Sequence, residues 1–178
     1  MWVDLARRSV PVVVVLLGTA FFLLEQAFAA DLESYVGKYP FNDKVNNRTL
    51  YQIPELKNDF IKNFGSARWM TLLSYQTSTP IDGVNDPVLG RLIVAWQCRP
   101  HDCPNSAAVF LRPTATVLAI CFAADNGTSD AFPADTDAVW SGVGWRNKLV
   151  KRPRSNCGMD AAEQAERLKA IMQVEKPK

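Results

Sequence analysis

A thiol pair, a guanidinium, an imidazole and a carboxylate share one short stretch of the chain, Cys98-Arg99-Pro100-His101-Asp102-Cys103, and His101 is the only histidine present. Such a set admits several chemistries. As a metal site it would use Cys98, Cys103, His101 and Asp102, but structural zinc sites hold their cysteines closer together and draw a second ligand pair from far along the chain. As a thiol redox centre or a haem attachment site it has the wrong interval, C-x4-C in place of C-x-x-C. As a hydrolase it would need His101 to activate a nucleophile. Ser106 is near, yet no nucleophile-elbow pattern surrounds it, and nothing in the segment encloses a site away from water. Two readings stay open: recognition by a stiff loop, and a plain connecting hairpin whose histidine sits on the surface. Loops on rigid scaffolds serve both ends. We expect no catalytic residue, no metal and no cofactor.

The stretch has its own means of stiffness. A disulfide closing so short a loop would constrain the unfolded chain by roughly 2 kcal/mol. Pro100 fixes one backbone angle beside the tip, and Pro104 restricts Cys103 just outside it. Preorganisation of this kind lowers the ordering cost of binding.

Disulfides require an oxidising compartment, and the start of the chain supplies the route to one. Arg7 and Arg8 precede an apolar run, Val10 to Leu24, and Ala27-Phe28-Ala29 follows with small residues at the two positions a signal peptidase reads. The run of about 15 residues is short for a membrane span, which needs roughly 20, so residues 1–29 read as a cleaved secretory leader. Residues 30–178 then form one domain of ordinary length. The expectation is an exported, periplasmic protein with no membrane contact after cleavage. The four cysteines, Cys98, Cys103, Cys121 and Cys157, read as two disulfides. Three connectivities exist in principle, and the loop favours Cys98–Cys103 with Cys121–Cys157. Asp4, Arg7, Arg8 and Glu25 cancel, so the net charge of +2 survives removal of the leader. That balance is too weak for a nucleic-acid partner.

The elements that position the loop follow from periodicity. Pro54 suits the first position of a helix. Ile53, Leu56, Phe60, Ile61 and Phe64 recur at helical spacing, with Gly65 as a stop. A second short helix over Ala67 to Tyr75 turns Trp69, Leu72 and Leu73 inward. Asp31 to Thr49 reads as a polar lead-in, and Thr79-Pro80, Asp82-Gly83 and Asp86-Pro87 mark a long loop. Leu92 to Trp96, Ala108 to Leu111 and Val117 to Phe122 are β-prone runs parted by turn residues. They predict consecutive antiparallel strands, with the cysteine loop as the hairpin tip between the first two. Ala138 to Trp145 adds a weaker strand. A last helix from Ala161 to Gln173 carries a capping box at Asp160 and Glu163 and an inward stripe of Ala161, Ala165, Leu168 and Met172. Helices first, strands in the middle and a helix last give an α+β class: a central antiparallel sheet with flanking helices and a protruding disulfide-closed loop.

Cys98-Arg99-Pro100-His101-Asp102-Cys103 resembles the signature loop of the Ivy family, the periplasmic inhibitors of vertebrate c-type lysozyme, usually written C-K-P-H-D-C. Five of six positions agree, and Arg99 stands where the family has lysine. Elsewhere the likeness is one of layout alone, over Tyr39 to Phe122, and from Pro133 onward nothing aligns. The resemblance implies helices packed on an antiparallel sheet and a loop that enters the enzyme's cleft. There His101 would hydrogen-bond to the two catalytic carboxylates, Asp102 would orient it or the loop, and Cys98–Cys103 would hold the shape. The implied partner is a c-type lysozyme. These enzymes are generally basic, as this chain mildly is, so long-range attraction would not help encounter unless Asp82, Asp86 and Asp102 make the loop face acidic. A regulator of the cell's own lytic transglycosylases, or of another peptidoglycan-cleaving enzyme, is the alternative. Whether the protein forms a homodimer is open.

Overall fold

A computed structural model describes residues 31–124, 137–146, 149–152 and 157–175. The expected leader, 1–29, lies outside them. Two α-helices come first, α1 (Pro54–Phe64) and α2 (Ser66–Ser74), then seven strands, then α3 (Ala161–Glu175). The strands are β1 (Thr77–Ser78), β2 (Asp82–Asp86), β3 (Gly90–Arg99), β4 (Asp102–Leu111), β5 (Val117–Ala124), β6 (Asp137–Gly142) and β7 (Val150–Arg152). They make one sheet in the order β1-β3-β4-β5-β6-β7, with β2 also paired to β3, and every pairing is antiparallel. The class is α+β, as composition and periodicity predicted.

Helices cover both faces of this sheet. One cluster packs Leu56 and Phe60 of α1 and Trp69 and Leu72 of α2 against Ile93, Ala95, Val109 and Ile120. The other packs Ala161, Ala165, Leu168 and Ile171 of α3 against Val94, Trp96, Phe110, Cys121 and Trp140. Antiparallel strands with one wet face alternate apolar and polar residues. Here β3 is buried from Leu92 through Cys98, which is why its sequence reads as an unbroken apolar run rather than an alternation. Gly65 ends α1 and opens α2 with a φ of 89°, a left-handed conformation that glycine adopts at no steric cost.

Three expectations need revision. The stretch marked as a long loop contains β2 and begins just after β1, and both strands border β3. Turn-forming residues are tolerated in short edge strands, where half the backbone groups face solvent. The polar lead-in is also more ordered than its composition suggests. It carries 3-10 turns at Leu32–Tyr35 and Leu50–Gln52. Leu32 and Leu50 are fully buried, and the Tyr35 hydroxyl donates to the carbonyls of Val45 and Arg48. Finally, only half of the predicted capping box forms. Asp160 Oδ1 accepts from the backbone N–H groups of Ala162 and Glu163, while the Glu163 carboxylate pairs with Arg167 one turn on.

Candidate functional site

The β3–β4 hairpin presents the cysteine loop. Cys98 faces Ser106 and Arg99 faces Asp102, so Pro100-His101 forms a two-residue tip, and Cys103, Pro104 and Asn105 are extra on the β4 side. That bulge places Cys103 within reach of Cys98, and the two form a disulfide with their Cα atoms 4.8 Å apart. His101 has a φ of 61°. Proline followed by a residue with positive φ is the pattern of a type II turn, in which glycine or asparagine usually takes the second place. Histidine tolerates the left-handed region better than most residues, but the backbone there still costs of order 1 kcal/mol and persists only because its surroundings hold it.

Several contacts do the holding. Asp102 Oδ2 accepts from Asn105 Nδ2 at 2.7 Å and lies 3.4 Å from Arg99 Nη1. The carboxylate therefore ties the two arms of the loop together, and it makes no bond to His101. Just below the loop, Gln97 is fully buried. Its Nε2 donates to the carbonyl of Leu72 at 2.6 Å, and its Oε1 accepts from the Tyr51 hydroxyl. Burial pushes that hydroxyl far above the ordinary tyrosine range, so it stays a donor at any working pH. On the other face, Trp96 Nε1 donates to the carbonyl of Cys157, whose side chain is joined to Cys121 in the second disulfide. The hairpin is thus anchored to α2 on one side and to the approach to α3 on the other. Gln97 and Tyr51 were not legible as site residues, because a buried polar network is defined by partners distant in the chain, and the role of Asn105 depends on the bulge that turns it toward Asp102.

At the tip, Arg99, Pro100 and His101 are exposed. Among the described residues the His101 imidazole has no hydrogen-bond or ion-pair partner, which leaves one ring nitrogen to donate and the other to accept when neutral. All four cysteines are paired in the expected connectivity. The loop thiols are therefore unavailable as thiolate ligands or nucleophiles. Ser106, the hydroxyl closest to the loop in sequence, is buried.

The charge expected of the loop face is corrected by position. Asp86 pairs with Gly90 at the far end of β3 from the loop, is buried, and bonds to Lys169 at 3.1 Å. Asp82 lies opposite Val94, also well back from the tip. Only Asp102 belongs to the loop, and Arg99 offsets it.

A cavity of about 200 Å³ opens between α2 and the β5–β6 edge of the sheet, and none of the loop residues lines it. No helix among the described residues is long and apolar enough to cross a membrane. The two disulfides fit an exported protein. No family model matches the chain, and comparison with curated proteins and with solved structures finds none similar to it.

Proposed function

We propose that the protein is an exported, periplasmic inhibitor of a peptidoglycan-cleaving enzyme, c-type lysozyme first, which it blocks by inserting the Cys98–Cys103 loop into the catalytic cleft. One observation carries the reading: an imidazole with no partner among the described residues is held in a left-handed backbone at an exposed, disulfide-closed tip. Ala115, in the β4–β5 connection, also has a positive φ, so it is the exposed imidazole on a disulfide-closed turn, and not the backbone alone, that sets this tip apart. The chemistry of the target suits it. A retaining glycosidase keeps two carboxyl groups about 5 Å apart, one protonated and one ionised. A neutral imidazole accepts from the first and donates to the second, with no proton transferred. Arg99 and Pro100 line the approach, Asp102 and Cys98–Cys103 keep the tip in shape, and no group of this chain performs catalysis.

Charge favours a second reading. With Asp82 and Asp86 away from the loop and a net charge of +2, nothing draws a basic lysozyme to the tip. A lytic transglycosylase cuts the same polymer with an acidic residue and need not be basic, so a regulator of the cell's own enzymes fits equally well.

Titration of the purified protein against a c-type lysozyme and a lytic transglycosylase, with His101→Ala in parallel, tests both. Inhibition of one enzyme is expected. The alanine variant should be weaker by roughly 10- to 100-fold, the worth of a hydrogen bond to a charged group. Inhibition of neither enzyme removes the function. Full inhibition by the variant removes the mechanism and spares the function.

A further inference from the structure

A loop of six residues is a small part of an interface. Stable complexes bury about 800 Å² per partner, from roughly 20–30 residues a side, so surface next to the loop must contribute. The cavity beside α2 is the surface in question. Its lining is mainly apolar, from Ile120, Phe122, Val139 and Leu149, together with Tyr75, Thr71, Ser141 and the cationic Arg68. Leu149 is 49 % exposed. Arg68 is half-buried, yet among the described residues its guanidinium has no carboxylate or hydrogen-bond partner. A weakly hydrated cation in a mainly apolar lining favours a carboxylate that arrives with an apolar neighbour.

The groove reaches the root of the loop. Tyr75 stacks edge-on against Phe122, with ring centroids 6.3 Å apart. Two residues further on, Thr77 pairs with Cys98. Arg99 and Asp102 are close enough to act on the Tyr75 hydroxyl, although burial is the main reason it titrates above the ordinary range.

We infer that this groove is the second contact of the partner that the loop blocks, taking an apolar side chain from the rim of the enzyme's cleft while a rim carboxylate pairs with Arg68. The inference rests on the inhibitor reading. The groove adds grip and partner choice, while the loop supplies the blockade.

Two variants test it against whichever enzyme the wild-type protein inhibits. Val139→Trp fills the groove from a half-buried strand position, and Arg68→Glu reverses the charge at its rim. Each should weaken inhibition roughly tenfold, the effect of losing one well-packed interface contact. Arg68→Glu should also slow association, with its melting temperature unchanged. If both variants inhibit like wild type, the groove is not a contact, and the inhibitor reading stands. If Arg68→Glu alone weakens inhibition, the effect is surface charge and the groove is again refuted. If the wild-type protein inhibits no peptidoglycan-cleaving enzyme, both inferences fall together.

Discussion

At the tip, the two sulfurs of the loop disulfide have unequal access. Cys98 is fully buried, whereas Cys103 is exposed. Cys121 and Cys157 are both buried. A reducing thiolate must reach a sulfur atom to attack it, so attack falls on Cys103 and releases the Cys98 thiol, while the second disulfide stays closed. Mild dithiol treatment followed by alkylation and peptide mapping should label Cys98 and Cys103 first. Inhibition should then fall by more than stability does, because a loop this short constrains the unfolded chain by only about 2 kcal/mol. Labelling of all four cysteines together, or equal losses of inhibition and stability, would count against a dedicated loop. The residues of this tip were all legible in the chain, since their types and spacing are local. The bonds from Asp102 to Asn105 and Arg99, and the left-handed backbone at His101, were not. They arise from the three extra residues on the β4 side, and register across two strands is a property of the pair.

The elements behind the tip divide in the same way. α1, α2, α3 and the centres of β3, β4 and β5 follow from apolar spacing, because each buries a face whose period its own sequence records. β1, β2 and β7 escaped notice, since their pairing with a long neighbour compensates for weak local propensity. The clamp between β2 and α3 was also hidden. Asp86 accepts from the N–H groups of Val88 and Leu89 and from Lys169. The Leu89 bond is the largest influence holding its carboxyl below the ordinary value of 3.8 against the opposing effect of burial, with further help from Val88 and Lys169. A lowered folded pKa contributes stability that is present above the unfolded value and lost as pH falls through the folded one. Thermal unfolding measured from pH 6 downward should therefore lose stability below about pH 4. Asp86→Asn should start less stable and show a shallower acid decline. An unchanged pH profile in that variant would remove Asp86 from the account.

Across the whole molecule, two apolar layers enclose one sheet, and Cys121–Cys157 joins β5 to the approach to α3 between cysteines 36 positions apart. The chain-entropy estimate for a loop of that length is about 4 kcal/mol. Replacing both cysteines by serine should lower the melting temperature by roughly 8–16 °C for a domain of this size. Inhibition measured well below the transition should persist, because the loop is anchored independently through Gln97 to Leu72 and Tyr51. Loss of inhibition at low temperature would mean that the α3 side positions the loop as well. The sequence by itself determined the class, the main helices and strands and the identity of the tip, which depend on neighbours close in the chain, while the spacing of the thiols only favoured one of three pairings. Only the tertiary structure decided which acids lie near the tip, what braces it, and that a largely apolar groove opens beside α2, with an Arg68 that has no partner among the described residues. Those features depend on contacts between segments far apart in sequence, and on where helices stop covering a sheet, which no local pattern records.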